Sequence, residues 1–187
     1  LGISSLQSNA STIGEVNPVW YHFSPSGDPE EPFLLVAKEE DVKSLLNAAA
    51  ENGVAVIPTL TNVGPEASET KWIVSNLEDP ESRSKLVQQV VRIGRTSPYN
   101  GVDLNFESIS EKDLPAFASF YVDVARALHK HRKTVSVSIN ATHLSAESRN
   151  VWAKVASEVD GVKVLLYPEN HKRNLPGPVA STAWSKR

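Results

Sequence analysis

The sequence predicts an α/β protein: an incomplete (β/α)8 TIM barrel, with residues 1–187 as a single partial barrel domain. Three observations lead there. Short β-rich runs alternate five times with longer amphipathic stretches, at roughly 30–45 residues per unit, as a parallel sheet of βα units requires. Two of the runs alternate apolar with polar residues, whereas central strands of an open doubly wound sheet are apolar on both faces. In a barrel, one strand face packs on helices and the other points inward, which fits the alternation. Length is the third: 187 residues fall short of the ~250 of a complete barrel, so strands are missing.

The elements follow in order. Residues 15–24, EVNPVWYHFS, form the first strand, followed by the Pro/Gly-rich loop PSGDPEEP. Residues 39–52 read as a helix with Val42, Leu45, Leu46 and Ala49 on one face and Asn52-Gly53 as its stop. GVAVIPTL (53–60) is the second strand. Asp79 and Pro80 open the next helix, whose Leu86, Val87, Val90, Val91 and Ile93 lead to a stop at Gly94. NGVDLNFESI (100–109) is the third strand. Leu114, Phe117, Phe120, Tyr121, Val124 and Leu128 then make a helical stripe. TVSVSIN (134–140) alternates, with valine and isoleucine on one face and Ser136, Ser138 and Asn140 on the other. A helix over about 147–158 and a fifth strand, GVKVLLYP (161–168), complete the pattern.

Composition narrows the partners. An apolar fraction of 40% and a charged fraction of 22% belong to a globular chain. A net charge of −3 gives no electrostatic reason to expect nucleic acid or an anionic membrane. No apolar run is long enough to span a bilayer, and the N-terminus carries no signal-peptide pattern. The absence of cysteine excludes disulfides, thiolate metal sites and a cysteine nucleophile. Methionine is absent even at position 1, so the chain reads as a processed or excised piece of a longer product. His129 and His131, with Lys130 and Arg132, form the basic end of a helix and complement its dipole. His22, His143 and His171 are too scattered to suggest a metal site. No phosphate-binding glycine loop and no Gly-x-Ser-x-Gly elbow is present.

The third strand carries the chemistry. Val102, Leu104 and Phe106 face one way; Asp103, Asn105 and Glu107 face the other. Burying an unpaired carboxylate costs several kcal/mol, so inward acids need partners or a purpose. Two readings stand: a hydrogen-bonded polar plug or wet edge strand, and an active site. Glu107 has the stronger claim to function, because it comes last on the strand, where barrel active sites open. Trp20 and Tyr21 end the first strand as a sugar-stacking platform, or one of the two packs in the core. Asn140, last on its polar face, is a further candidate contact.

NGVDLNFE resembles the Asp-Gly-x-Asp-x-Asp-x-Glu signature on the fourth strand of family 18 glycoside hydrolases, which include chitinases, endo-β-N-acetylglucosaminidases and spore-cortex-lytic enzymes. VNPVWYHFSPSG is similar to that family's second strand and loop, GVAVIPTLTN to its third, VSVSIN to its fifth, and DGVKVLLYPENH…LPGPVASTAW to its sixth strand and loop. On this alignment the chain holds about strands 2 to 6; strand 1 precedes Leu1, strands 7 and 8 follow Arg187, and a longer parent chain supplies them. The resemblance implies substrate-assisted hydrolysis of a β-linked N-acetylglucosamine-containing glycan, in a secreted or cell-wall-associated protein with no metal or organic cofactor. It implies Glu107 as acid/base, with Asp103 beside it, Asn105 orienting the acetamido group and Tyr167 hydrogen-bonding the acetamido oxygen. Trp184 corresponds to a helix-packing tryptophan. Asn100, Asn105 and Pro168 stand where the family has aspartates. An amide at 105 accepts the acetamido N–H but offers no negative charge, which leaves a catalytically inactive sugar-binding relative as the alternative. An α/β protein whose polar strand binds no sugar is the third reading.

Overall fold

The computed structural model describes residues 2–24, 32–62, 69–141, 144–166 and 181–182. The chain opens with α1 (Gly2–Asn9), a short 3-10 turn, β1 (Glu15–Val16), β2 (Val19–Phe23) and β3 (Phe33–Leu35). There follow α2 (Glu39–Glu51), β4 (Ala55–Val56), β5 (Thr59–Thr61), α3 (Glu69–Glu78) and α4 (Pro80–Gly94). The series ends with β6 (Gly101–Asn105), α5 (Leu114–His129), β7 (Thr134–Asn140), α6 (Arg149–Ala156) and β8 (Gly161–Leu165). Six strands form one sheet in the order β3-β2-β5-β6-β7-β8, parallel except for the antiparallel edge strand β3. Among the described residues this sheet does not close. It is an incomplete barrel wall.

Two prolines divide strands that the sequence pattern runs together. β1 and β2 are separated at Asn17-Pro18, and β4 and β5 at Ile57-Pro58. Proline has no N–H to donate, so it interrupts a ladder. Direct bonds carry the pairing across the gap: Thr59 N–H donates to the Pro18 carbonyl at 2.8 Å, and Asp103 N–H to that of Pro58 at 3.0 Å. The Asn17 side-chain amide donates to the Ile57 carbonyl at 3.0 Å. The small β1-β4 pair is therefore the lower end of the same wall.

Three elements carry no sequence signal strong enough to predict them. β3 is three residues long with Leu34 and Leu35 exposed, and it exists by pairing with β2. α1 and α3 have weak apolar stripes and are anchored by a few buried residues, Leu6 in the first and Ile73 and Leu77 in the second. The remaining helices follow their signals. Asp79 caps α4, its carboxylate accepting from Ser82 N–H at 2.7 Å. α5 buries Leu114, Phe117, Phe120, Tyr121, Val124 and Leu128.

The register produces two faces. Leu60, Leu104, Val137 and Val162 lie side by side, as do Thr59, Asp103 and Ser136 one step below and Thr61, Asn105, Ser138 and Lys163 one step above. Strand alternation sends the apolar row to the helices and both polar rows to the opposite face. The approach of β7 to β6 depends on Gly101, since a Cβ there would overlap the Thr134 backbone. Gly101→Ala should therefore lower stability by ~1–3 kcal/mol, measured by chemical denaturation. Gly14→Ala, where an added Cβ meets nothing within 4 Å, should shift it by less than about 0.5 kcal/mol.

Candidate active site

The site begins with an apolar anchor. Phe106 is 2% exposed, and its ring lies 5.7 Å from Phe117, 6.1 Å from Phe120 and 6.2 Å from Tyr121 on α5. Such aromatic contacts add ~0.5–1.5 kcal/mol each to area burial. With Phe106 fixed among helix side chains, alternation turns Asn105 to the other face, and Glu107 is in phase with it in the sequence.

Asp103 is 2% exposed and fully engaged. Its carboxylate accepts from Thr59 Oγ1 at 3.1 Å, from Ser138 Oγ at 3.1 and 3.2 Å, and from the Ser136 hydroxyl. Lys163 Nζ reaches it at 3.3 Å and also contacts Ser136 Oγ, Asn17 Oδ1 and Glu15 Oε1, each at 2.9 Å. Ser136 thus accepts from the lysine and donates to the aspartate. A charge pair held by hydroxyls is what a buried carboxylate needs. The plug predicted as one reading of the acids exists, and Asp103 is its centre. A direct catalytic contact by Asp103 does not match this enclosure; the carboxylate supports the strand from below.

Asn105 and Glu107 are different. Both are half-buried, and Asn105 Oδ1 is a buried acceptor with no hydrogen-bond partner among the described residues. A buried unmade hydrogen bond costs ~1–3 kcal/mol, so an orphaned acceptor marks a place where a donor is expected. Glu107 lies two residues past Asn105, the last ladder residue of β6. Its N–H donates to Asn62 Oδ1 at 2.8 Å and its carbonyl accepts from Asn62 Nδ2 at 3.0 Å. Ser108 next takes a left-handed conformation, φ 60°, which turns the chain off the strand.

The other expected site residues separate. Trp20 and Tyr21 are both buried, and their rings pack 5.8 and 6.4 Å from Tyr99. This is core packing of the two together, and neither presents an open face for a sugar. Burial, then the 3.3 Å hydrogen bond with the Tyr99 hydroxyl, pushes the Tyr21 phenol well above its ordinary value. Asn140 ends β7, half-buried, on the same face as Ser136 and Ser138. Tyr167, Pro168, Trp184, His143 and His171 lie outside the described residues. Asn100, standing where an aspartate was expected, accepts Val56 N–H at 2.9 Å and joins β4 to β6. Among the described residues no three His, Asp or Glu side chains converge as metal ligands, and no helix is long and apolar enough to cross a membrane.

Lys163 and Asn62 join the site without standing out as site residues in the sequence. Lys163 had a signal, being the one charged residue in GVKVLL and in phase with its polar face. Asn62 follows the predicted strand and looks like a loop residue. Only the pairing register shows that it faces Glu107.

No protein-family model matches the sequence. The chain is 28% identical over 117 residues to the uncharacterized glycosylase YvbX of Bacillus subtilis, covering 59% of this chain and 33% of YvbX. It is 23% identical over 167 residues to YdhD of the same organism, named as a sporulation-specific glycosylase, covering 86% of this chain and 37% of YdhD. A chitinase of Chromobacterium violaceum superposes with a TM-score of 0.80 at 18% identity, over 98% of this chain and 57% of that structure. The chain resembles the family 18 glycoside hydrolases. At such identity the superposition with the chitinase shows the fold, a mixed α/β sheet of TIM-barrel type. The chain spans about a third of the length of either curated relative.

The charge pair under this family-18-like strand makes a direct prediction. Lys163→Met leaves Asp103 buried beside three hydroxyls and no cation. Because the lysine side chain is 32% exposed, the loss should fall near the low end of a broken buried pair, ~2–4 kcal/mol. Adding Asp103→Asn should recover at least half of it. Denaturant midpoints of the two single variants and the double variant measure the coupling.

Proposed function

We propose that the chain carries the acid-bearing part of a glycoside hydrolase acting on a β-linked N-acetylglucosamine-containing glycan, such as chitin, peptidoglycan or an N-glycan core. The observation that carries this reading is the buried, unpartnered Asn105 Oδ1 beside the half-open Glu107. An acetamido N–H is a donor of the kind this acceptor lacks. The mechanism is substrate-assisted and retaining. The Glu107 carboxyl protonates the glycosidic oxygen while the 2-acetamido carbonyl oxygen attacks the anomeric carbon, and the glycosidic bond breaks. The resulting oxazolinium is opened by water at the same carbon. The Glu107 carboxylate takes the proton from that water, which restores the acid and leaves the β configuration. Asn105 holds the acetamido N–H throughout, so that its carbonyl oxygen points at the anomeric carbon. Tyr167, by resemblance, hydrogen-bonds the acetamido oxygen.

Asn105 also favours a second reading. An amide supplies no negative charge to the oxazolinium, and losing such stabilisation costs on the order of 10²–10³ in rate. A groove that binds acetamido sugars without cleaving them is the alternative.

Two substitutions separate these readings in the full-length protein. Glu107→Gln should abolish turnover of a β-N-acetylglucosaminide while leaving the fold intact, because among the described residues the side chain makes no hydrogen bond or ion pair. Asn105→Asp should preserve or raise the rate by restoring charge beside the oxazolinium. The binding-only reading expects no turnover from parent or variants, with chito-oligosaccharide binding still detected by calorimetry. Turnover that survives Glu107→Gln removes the mechanism.

A further inference from the structure

The ladder between β5 and β6 ends with Thr61 opposite Asn105. One residue beyond Thr61, Asn62 continues it with its side chain, reaching Glu107 two residues beyond Asn105. Its Oδ1 accepts Glu107 N–H at 2.8 Å and its Nδ2 donates to the Glu107 carbonyl at 3.0 Å, so one amide satisfies both backbone groups of one residue. Asn62 is itself 7% exposed. In these surroundings a backbone group left unpaired costs ~1–3 kcal/mol. Glu107 lies past the regular strand, where a chain has no ladder to hold it, between Phe106 locked in the aromatic cluster and Ser108 at φ 60°. Phe106 holds the chain on one side of Glu107 through its side chain, but it makes no hydrogen bond to the Glu107 backbone. The Asn62 amide does, at two points.

We infer that Asn62 is a positioning residue for the candidate acid: it fixes the Glu107 backbone so that the carboxyl is delivered to one place above Asn105. The inference rests on the hydrolase reading and adds to it a residue that need not touch substrate. A side-chain amide suits the task because it presents one donor and one acceptor in a plane, as a peptide group does. A serine hydroxyl also donates and accepts, but from a single atom on a shorter, rotating arm, whereas the amide does so from two atoms held in one plane.

The effect should appear in the chemical step. A misplacement of about 1 Å at a reacting group can cost ~10²-fold in rate, so Asn62→Ala should lower kcat by about 10- to 100-fold. KM should stay within about twofold, because sugar binding does not run through Glu107's backbone. Asn62→Gln keeps both amide groups on a longer arm and should recover part of the loss. A residue with only a structural role would lower the melting temperature and leave kcat per folded molecule unchanged. A second measurement needs no variant. The Glu107 amide proton should be protected from hydrogen exchange in the parent, although it lies beyond the last ladder residue.

These arms keep the two ideas apart. Parent turnover that Glu107→Gln abolishes supports the hydrolase reading. If Asn62→Ala then turns over at the parent kcat, the positioning role falls and the hydrolase reading stands. A parent with no turnover overturns the catalytic reading and the positioning role with it. A freely exchanging Glu107 amide in the parent shows that no clamp exists and overturns the inference outright.

Discussion

The pairing of buried Asp103 with Lys163 is the constraint on which the rest of the sheet depends. A carboxylate at 2% exposure is tolerated only if its charge is matched and its lone pairs are used. The partners come from different strands: Thr59 from β5, Ser136 and Ser138 from β7 and Lys163 from β8. A one-residue slip of any of them would turn its polar side chain to the helices. The charge thus fixes the register of four neighbouring strands, β5 to β8. Its influence reaches the helix layer as well: burial first, then the Asp103 charge, pushes the Tyr121 phenol well above its ordinary value.

That closed layer explains what stands above it. Asp103 and Asn105 share a face of β6 but differ in what surrounds them. The first accepts from three hydroxyls and a lysine; the second has a buried oxygen with no partner among the described residues. An aspartate at 105 would place another carboxylate one pleat above Asp103, whose nearby cation is already shared with Glu15. Like charges at that spacing oppose one another in a poorly solvated interior. The amide relieves the repulsion and keeps the acceptor. In the proposed mechanism the same choice withdraws charge from the oxazolinium, so that stability and catalytic power would pull in opposite directions at this residue.

Much of this was legible in the residues, for a physical reason. The period-2 pattern of NGVDLNFE separates the two faces, and the structure keeps that separation: Phe106 among aromatic rings, Asp103 among hydroxyls. The helices with strong stripes lie where the residues put them, α4 by its Asp79 cap and apolar stripe and α5 by its stripe. What was not legible depends on contacts distant in sequence. β3 needs the edge of β2, and the breaks at Pro18 and Pro58 are bridged by bonds between strands. Trp20 and Tyr21 look like platform residues until Tyr99, far along the chain, is seen covering both. Asn62 resembles any polar residue after a strand; the Glu107 backbone gives it a role.

Asp103 is closed beneath the candidate site, and Asn105 and Glu107 are proposed as its open edge. A crystal structure of the Glu107→Gln protein with a bound chito-oligosaccharide tests this most directly. The account predicts an acetamido N–H within hydrogen-bond distance of Asn105 Oδ1, the position-107 amide at the glycosidic oxygen, and Asp103 still on Lys163. An acetamido group held away from Asn105, or Asp103 released from Lys163 to meet the sugar, would contradict it.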